Sequence, residues 1–149
     1  MGHVWRRVGT GLWVVMAAMG VTAVALVGLL KAEAPNPPGQ ELLMAFAEFR
    51  PLHAHKSVLV VDVRDADSFA NGRIPGAIHV PVRDIEAKLA SVRKASKGRV
   101  VVTYCSCPTE ASSLRAATLL TSAGITAKAL VGGFPRWVES GGVIERDAR

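Results

Sequence analysis

The 149-residue sequence predicts an α/β fold, an open, mostly parallel sheet with helices on both faces, preceded by one transmembrane helix. Two short apolar runs, at 58–63 and 100–104, are rich in β-branched residues, as buried strands of parallel sheets are. Segments with helical periodicity, at 82–92 and 111–123, alternate with these strands. The hydrophobic content of 50% is high, and the excess lies in an uncharged run at 8–30. These features predict one membrane-attached globular domain.

The uncharged run at 8–30 predicts a membrane-spanning helix. At about 1.5 Å per residue it crosses a hydrocarbon core of about 30 Å, and its only polar side chains are Thr10 and Thr22. A cleavable signal peptide is the alternative, because the start is basic and the sequence AEA at 32–34 resembles a cleavage site. The run is longer than the usual ~7–15 apolar residues of such peptides, and Pro35 would follow the cut. We therefore favour an uncleaved anchor.

The charges on either side of this run predict the orientation of the chain. Residues 1–7 form a short basic amino terminus with Arg6 and Arg7, whereas Lys31 on the other side is followed by Glu33. The side richer in Lys and Arg stays in the cytoplasm. We therefore expect a single-pass protein of the cytoplasmic membrane whose domain lies on the extracytoplasmic, periplasmic side.

A proline-rich linker at 31–40 separates the predicted span from a domain at 41–149. Its prolines bar a helix and favour an extended spacer. From Gln40 onward, four apolar residues recur at helical spacing, which predicts a helix packed on the sheet. These residues are Leu42, Leu43, Phe46 and Phe49.

The strand predicted at 58–63 brings Asp62 and Arg64 to its carboxyl end. Sites in open parallel sheets form at that edge. Charged groups at such positions also form structural ion pairs without taking part in chemistry. We therefore assign both residues a supporting role beside the site.

Glycine and proline mark a turn at 71–76, before a short strand at 77–80 and the amphipathic helix at 82–92. The region from 83 to 99 is basic, and the net charge of the chain is +6. A nucleic-acid surface would be expected to carry interleaved aromatic residues or a binding motif, and this region has neither. We interpret it as a solvated helix face and expect no nucleic-acid partner.

The strand predicted at 100–104 leads directly to Cys105, a short loop and the helix at 111–123, where Ser112 and Ser113 are available to cap the first turn. Backbone N–H groups and the positive end of the helix dipole favour negative charge at such a loop. A cysteine held there loses its proton more easily and becomes a nucleophile. The order of elements therefore predicts an anion site with a reactive Cys105.

The last predicted elements are a strand at 127–131 and a helix at 134–140. Gly124 ends the preceding helix, and Phe134 and Trp137 are expected to pack into the core. The histidines and cysteines do not have the spacing of a metal-ligand set, so no metal site is expected.

Three segments carry a recognisable pattern: VLVVDVRDADSFANGRIPGAIHVP at 58–81, VVTYCSCPTEASS at 101–113 and ALVGGFPRWVESGG at 129–142. In this order they resemble the rhodanese homology domain, the fold of the sulfurtransferases. The resemblance implies that Cys105 accepts a sulfane sulfur as a persulfide and passes it to a thiol or other thiophilic acceptor, without a metal or organic cofactor. It also implies a substrate-binding loop of Ser106, Cys107, Pro108, Thr109, Glu110, Ala111 and Ser112.

The loop departs from the familiar family pattern, because it lacks Gly and Arg and contains Pro108 and Glu110. Pro108 removes one backbone donor. Glu110 adds negative charge near an anion site unless it faces away in the first helical turn. We therefore expect thiosulfate to be a poor donor and a protein-bound or low-molecular-weight persulfide to be a better one.

Two other functions fit parts of the pattern. Rhodanese-related phosphatases and arsenate reductases cradle an oxyanion in a longer cysteine loop that normally supplies an arginine, and none lies between Cys105 and Ser113. The non-enzymatic alternative is a membrane-tethered binding module in which Cys105 is idle.

Cys107 lies two residues from Cys105 in a compartment expected to be oxidising, where a thiol and a persulfide can exchange. A disulfide between such close neighbours closes a small ring, which we expect to be easily reduced. We therefore expect Cys107 to be mainly a loop residue, with a resolving thiol as the alternative.

Overall fold

The computed structural model describes residues 39–147, which form a five-stranded, fully parallel sheet between two layers of helices. Gln40–Leu42 and Val82–Asp84 are single 3₁₀ turns. The strands are β1 (Leu43–Met44), β2 (Val58–Asp62), β3 (Ile78–His79), β4 (Val100–Tyr104) and β5 (Ala127–Leu130), and the helices are α1 (Phe46–Ala54), α2 (Ala66–Asn71), α3 (Ile85–Ser96), α4 (Ala111–Ser122) and α5 (Gly133–Glu139).

The strand order β1-β5-β4-β2-β3 places β4 at the centre of the sheet. In its register with β2, Val58 lies opposite Val100 and Asp62 opposite Tyr104. Because both strands run in the same direction, Asp62, Tyr104 and the following Cys105 all reach the carboxyl edge of the sheet. The predicted open parallel sheet is confirmed.

Side chains of β2 alternate between two separate cores. Leu59 and Val61 face α3 and α4 in one core, whereas Val58 and Val60 face α1 and α5 in the other. β2 therefore buries both of its faces, which explains why its sequence is an almost continuous apolar run. The prediction of helices on both faces is confirmed, and Trp137 of α5 is a core residue, only 7% exposed.

The first predicted helix is wrong at its amino-terminal end. The apolar spacing from Gln40 predicted one helix, but Leu43 and Met44 form β1 and pair with Ala129 and Leu130 of β5. The helix begins only at Phe46. Pairing with a strand far along the chain satisfies the backbone of Leu43 and Met44, and local spacing carries no information about such a partner.

Helix α2 was not predicted, although its start carries a capping signal. Asp65 accepts hydrogen bonds from the backbone N–H of Ser68 at 2.8 Å and from its hydroxyl at 2.8 Å. The backbone bond lowers the pKa of Asp65, because it favours the charged carboxylate. An Asp three residues before Ser is a recognisable amino-terminal cap, so this helix was within reach of the sequence.

The predicted basic amino terminus, the span at 8–30 and the linker up to residue 38 lie outside the described residues. Within residues 39–147, no helix is long and apolar enough to cross a membrane.

Residues near the carboxyl terminus are fastened to the turn predicted at 71–76. Arg73 and Glu145 exchange backbone hydrogen bonds of 2.9 and 3.0 Å. Their side chains form an ion pair at 2.7 Å, and Arg73 also contacts Asp147 at 2.7 Å. The other carboxylate oxygen of Glu145 accepts the N–H of Gly76 at 3.0 Å. Arg73 is therefore a structural residue that holds residues 145–147 against the turn at 71–76.

Replacing Glu145 by glutamine is expected to reduce the loss of unfolding free energy that the protein shows as the pH falls below 4.5. The N–H of Gly76 and the guanidinium of Arg73 lower the pKa of Glu145 below its usual 4.5. The stabilisation is therefore present above pH 4.5 and is lost as the pH falls through the lower pKa of the folded state. Urea unfolding over this pH range measures it. The exposed Glu86→Gln variant serves as the control, and equal profiles for the parent and Glu145→Gln would contradict the assignment.

Candidate active site

Cys105 follows β4 directly and is 3% exposed. Its carbonyl accepts the backbone N–H of Phe134 at 2.9 Å, which docks the start of α5 against it. A Cβ on Gly133 would lie 2.2 Å from that carbonyl oxygen, and the φ of Gly133 is +48°. Only glycine fits both the contact and the left-handed conformation. The Gly-Gly-Phe sequence thus holds the backbone of Cys105 from a distant part of the chain.

The Cys105 sulfur lies beside one backbone donor and one hydroxyl group. The N–H of Cys107 donates to it at 3.4 Å, and the Ser113 hydroxyl lies 3.6 Å away. The hydroxyl of Thr103 in β4 donates to the Ser113 carbonyl at 2.8 Å, which ties the first turn of α4 to the central strand. A backbone donor such as the N–H of Cys107 favours a sulfur that carries negative charge.

The start of α4 differs from the predicted cap. Neither Ser112 nor Ser113 caps the helix by its side chain; instead Glu110 precedes the helix with a φ of +51°, and its carbonyl accepts the N–H of Leu114 at 2.7 Å. The Ser113 hydroxyl also donates to that carbonyl, at 3.0 Å. Among residues 39–147, none accepts the backbone N–H groups of Ala111 and Ser112. These uncapped groups are available to an anion.

Glu110 holds the loop to the neighbouring chain segment. Its carboxylate accepts the N–H of Gly132 at 2.8 Å, just before α5. The sequence left open whether this charge would face the anion site or turn away. In the structure the carboxylate is engaged by a backbone donor between β5 and α5, and Glu110 belongs to the loop rather than to the first helical turn.

Cys105 and Cys107 are joined by a disulfide, with their Cα atoms 5.7 Å apart. The sequence predicts that Cys107 is mainly a loop residue, with a resolving thiol as the alternative, and in the structure its sulfur is bonded to that of the predicted nucleophile. A disulfide sulfur carries no thiolate charge, so the structure represents the oxidised form of the centre. The dithiol form is the one that can attack a donor.

Other parts of the predicted loop lie outside this sulfur pair. Ser106, Pro108 and Thr109 are exposed, and Cys107 is half-buried. The outer surface of the loop therefore faces solvent, while the Cys105 sulfur lies beneath it.

Asp62 and Arg64 form a buried ion pair beside the site. Arg64 donates to both carboxylate oxygens of Asp62, at 2.9 and 2.5 Å, and its guanidinium lies 4.2 Å from the centre of the Phe134 ring. The hydroxyl of Tyr104 donates to Asp62 at 2.6 Å and accepts the N–H of Ile74 at 3.2 Å. Burial, and then the charge of Asp62, raise the pKa of Tyr104. Tyr104 is thus neutral and acts as a fixed donor.

This network was only partly visible in the sequence. The sequence predicts Asp62 and Arg64 to lie at the carboxyl end of β2, whereas it marks Tyr104 only as the end of a strand. Its neighbour along the chain is Cys105, but alternation along β4 directs the two side chains into different cores. The network therefore positions the strand end that precedes Cys105. Within residues 39–147, none of its members forms a hydrogen bond with the Cys105 sulfur.

A cavity of about 550 Å³ lies at the other end of the sheet, around the amino ends of β2 and β4. His53, Lys56, Val58 and Arg99 are among the residues that line it. None of the predicted site residues borders this cavity, so it is separate from the Cys105 centre.

Comparison with known proteins identifies the family of the domain. A family model described as the rhodanese-like domain matches residues 46–140, which include the sheet from β2 to β5, the Cys105 loop and α5. The chain belongs to the rhodanese-like family. No curated protein sequence matches the chain.

Solved structures of several proteins resemble this rhodanese-like chain. A human single-domain sulfurtransferase is 27% identical, with 66% of this chain and 96% of that chain covered and a TM-score of 0.56. A protein from Rhodopseudomonas palustris, described as of unknown function and a possible tyrosine phosphatase, is 26% identical, with coverages of 69% and 83% and a TM-score of 0.58. A thiosulfate sulfurtransferase from Pseudomonas aeruginosa shares the fold at 24% identity and a TM-score of 0.60, with coverages of 70% and 20%.

Proposed function

We propose that the protein is a membrane-anchored sulfurtransferase that carries a sulfane sulfur as a persulfide on Cys105. In the dithiol form, the Cys105 thiolate attacks the outer sulfur of a donor persulfide. A new S–S bond forms at Cys105, the donor S–S bond breaks, and the donor leaves as a thiol. An acceptor thiolate then attacks the outer sulfur, and the Cys105 thiolate leaves.

The observation that carries this proposal is the surroundings of the Cys105 sulfur. It lies at the carboxyl end of the central strand, within reach of the N–H of Cys107 and the hydroxyl of Ser113. The uncapped N–H groups of Ala111 and Ser112 add further donors at the start of α4. Fixed backbone donors such as these N–H groups stabilise both the attacking thiolate and an anionic persulfide.

The charges of the loop favour a persulfide donor over thiosulfate. Thiosulfate is a dianion, and no Lys or Arg lies between Cys105 and Ser113. The nearby guanidinium of Arg64 is already paired with Asp62. A thiol-derived persulfide carries less charge and needs no bidentate cation.

The lack of Lys and Arg between Cys105 and Ser113 also disfavours a phosphatase. One similar structure is nevertheless described as a possible tyrosine phosphatase. Transfer of a phosphoryl group requires cationic groups that stabilise the charge on its oxygens. Arg115 lies on α4 and is exposed. A binding module remains the alternative if Cys105 takes up no sulfur.

The proposed function is tested by reducing the full chain, removing the reductant, adding glutathione persulfide and measuring the masses of peptides that contain Cys105. We expect a gain of one sulfur atom on Cys105. A chain that gains none while staying folded would favour the binding module. Hydrolysis of a small aryl phosphate by the same preparation would instead favour the phosphatase.

Membrane attachment rests on the uncharged run at 8–30 and on Arg6 and Arg7 before it. We expect the protein to fractionate with membranes, and protease added to intact spheroplasts to digest the domain. Protection of everything after Lys31 would reverse the orientation. A mature chain that starts near Pro35 would establish cleavage instead.

A further inference from the structure

We propose that Cys107 resolves the Cys105 persulfide, so that the domain also releases its sulfane sulfur as hydrosulfide and ends as the Cys105–Cys107 disulfide. This inference rests on the proposed function, because a persulfide must first form on Cys105. It adds a second activity to sulfur transfer: the reduction of a bound sulfane sulfur by a thiol of the same loop.

The geometry of the loop brings the two sulfur atoms together within the folded domain. Cys105 and Cys107 are bonded in the structure, and one residue, Ser106, lies between them. In this same structure Thr103 of β4 donates to the Ser113 carbonyl of α4 at 2.8 Å, so the central strand and the helix stay tied together when the two sulfurs are bonded. The thiol of Cys107 therefore reaches the inner sulfur of a persulfide on Cys105 within the folded domain.

Both sides of the loop are held by the start of α5 and the residue just before it. The N–H of Phe134 donates to the Cys105 carbonyl at 2.9 Å, and the N–H of Gly132 donates to the Glu110 carboxylate at 2.8 Å. The N–H of Glu110 also closes a turn onto the Cys107 carbonyl at 3.3 Å. Cys107 is confined between these two fixed points, which raises the effective concentration of its thiol at Cys105.

The resolving step balances in atoms and electrons. The Cys107 sulfur attacks the inner sulfur of the persulfide, which is the original sulfur of Cys105. A bond forms between the two cysteine sulfurs, and the bond to the outer sulfur breaks. The outer sulfur leaves as hydrosulfide and takes the proton of the Cys107 thiol. The sulfane sulfur is reduced to sulfide, and the two protein thiols are oxidised to the disulfide.

An external dithiol returns the centre to its active form. Cys107 is half-buried, whereas Cys105 is only 3% exposed, so the reductant attacks the Cys107 sulfur. The Cys105 sulfur then leaves as a thiolate beside the Ser113 hydroxyl. The second thiol of the reductant releases Cys107, and the dithiol becomes a disulfide. The difference in exposure thus directs the reductant away from the nucleophile.

The test is a single turnover without any external thiol. The full chain is reduced, desalted, loaded with one equivalent of glutathione persulfide and desalted again. Hydrosulfide and the intact mass are then followed with time. The parent is expected to lose its persulfide, release one equivalent of hydrosulfide and end two hydrogens lighter than the dithiol form.

Cys107→Ser is expected to keep the persulfide and release no hydrosulfide. Cys107→Ala repeats the measurement with a different side chain, and Cys105→Ser tests whether Cys107 takes up sulfur by itself.

The outcomes separate this inference from the proposed function. A persulfide on Cys105 that lasts equally long in the parent and in both Cys107 variants would overturn the resolving role and leave sulfur transfer intact. Equal release of hydrosulfide from the parent and the Cys107 variants would overturn it as well. A parent and Cys107 variants that stay folded but never carry sulfur on Cys105 would overturn the proposed function itself.

Discussion

Replacing Cys105 by serine is expected to lower persulfide transfer by a factor on the order of 10³ or more. A hydroxyl resembles a thiol in shape, but at neutral pH it is almost entirely protonated and is a far weaker nucleophile toward sulfur. The carbonyl of residue 105 would still accept the N–H of Phe134, so the fold is expected to survive. The loss would therefore lie in the chemistry.

The measurement is turnover of the parent and Cys105→Ser with glutathione persulfide and a thiol acceptor, under reducing conditions so that the disulfide is open in both. Ser122→Ala, an exposed change at the far end of α4, is the control and is expected to match the parent. A folded Cys105→Ser protein that keeps its turnover would refute the assignment of the nucleophile.

Replacing Asp62 by alanine is expected to reduce the free energy of unfolding by about 3–5 kcal/mol, as breaking one side of a buried ion pair does. The Asp62 carboxylate is 0% exposed, and the side chain of its partner Arg64 is 7% exposed. Without Asp62, the guanidinium is buried without a counter-charge. The Tyr104 hydroxyl also loses the acceptor of its 2.6 Å hydrogen bond.

Urea unfolding at neutral pH measures this loss. Asp67→Ala, on the exposed first turn of α2, removes a carboxylate of the same type and is expected to change stability by no more than about 0.5 kcal/mol. Asp62→Asn keeps the shape and part of the hydrogen bonding, and gives an intermediate value if Asp62→Ala does not fold. Equal losses for Asp62→Ala and Asp67→Ala would show that the ion pair contributes nothing specific.

Both experiments alter residues at the carboxyl edge of the sheet, but the two residues act in different ways. Cys105 acts through its sulfur, whereas Asp62 acts through Tyr104 and Arg64, on the side of β4 that faces the other core. Asp62→Asn is therefore a useful probe of positioning: a change in activity out of proportion to the loss of stability would mean that the strand end controls where Cys105 lies.

Local sequence patterns were enough to predict several features of this protein. A strand buried on both faces must be a continuous apolar run, so the runs that became β2 and β4 were recognisable. A strand followed by a cysteine and a helix start places that cysteine at the sheet edge whatever the rest of the chain does. Cys105 and the parallel α/β architecture could therefore be predicted from residues close together in the chain.

Which distant groups meet at that edge depends on how the whole domain packs. The strand order brings Tyr104 to Asp62, which is 42 positions away, and brings Gly133 against the carbonyl of Cys105. It also turned Leu43 and Met44 into a strand, because β5 supplied a partner for their backbone. Periodicity records which faces of an element are buried, and it carries no information about the neighbour that buries them. Residues beyond β5 also hold the loop that carries the two cysteines, since the N–H of Phe134 donates to the Cys105 carbonyl and the N–H of Gly132 to the Glu110 carboxylate.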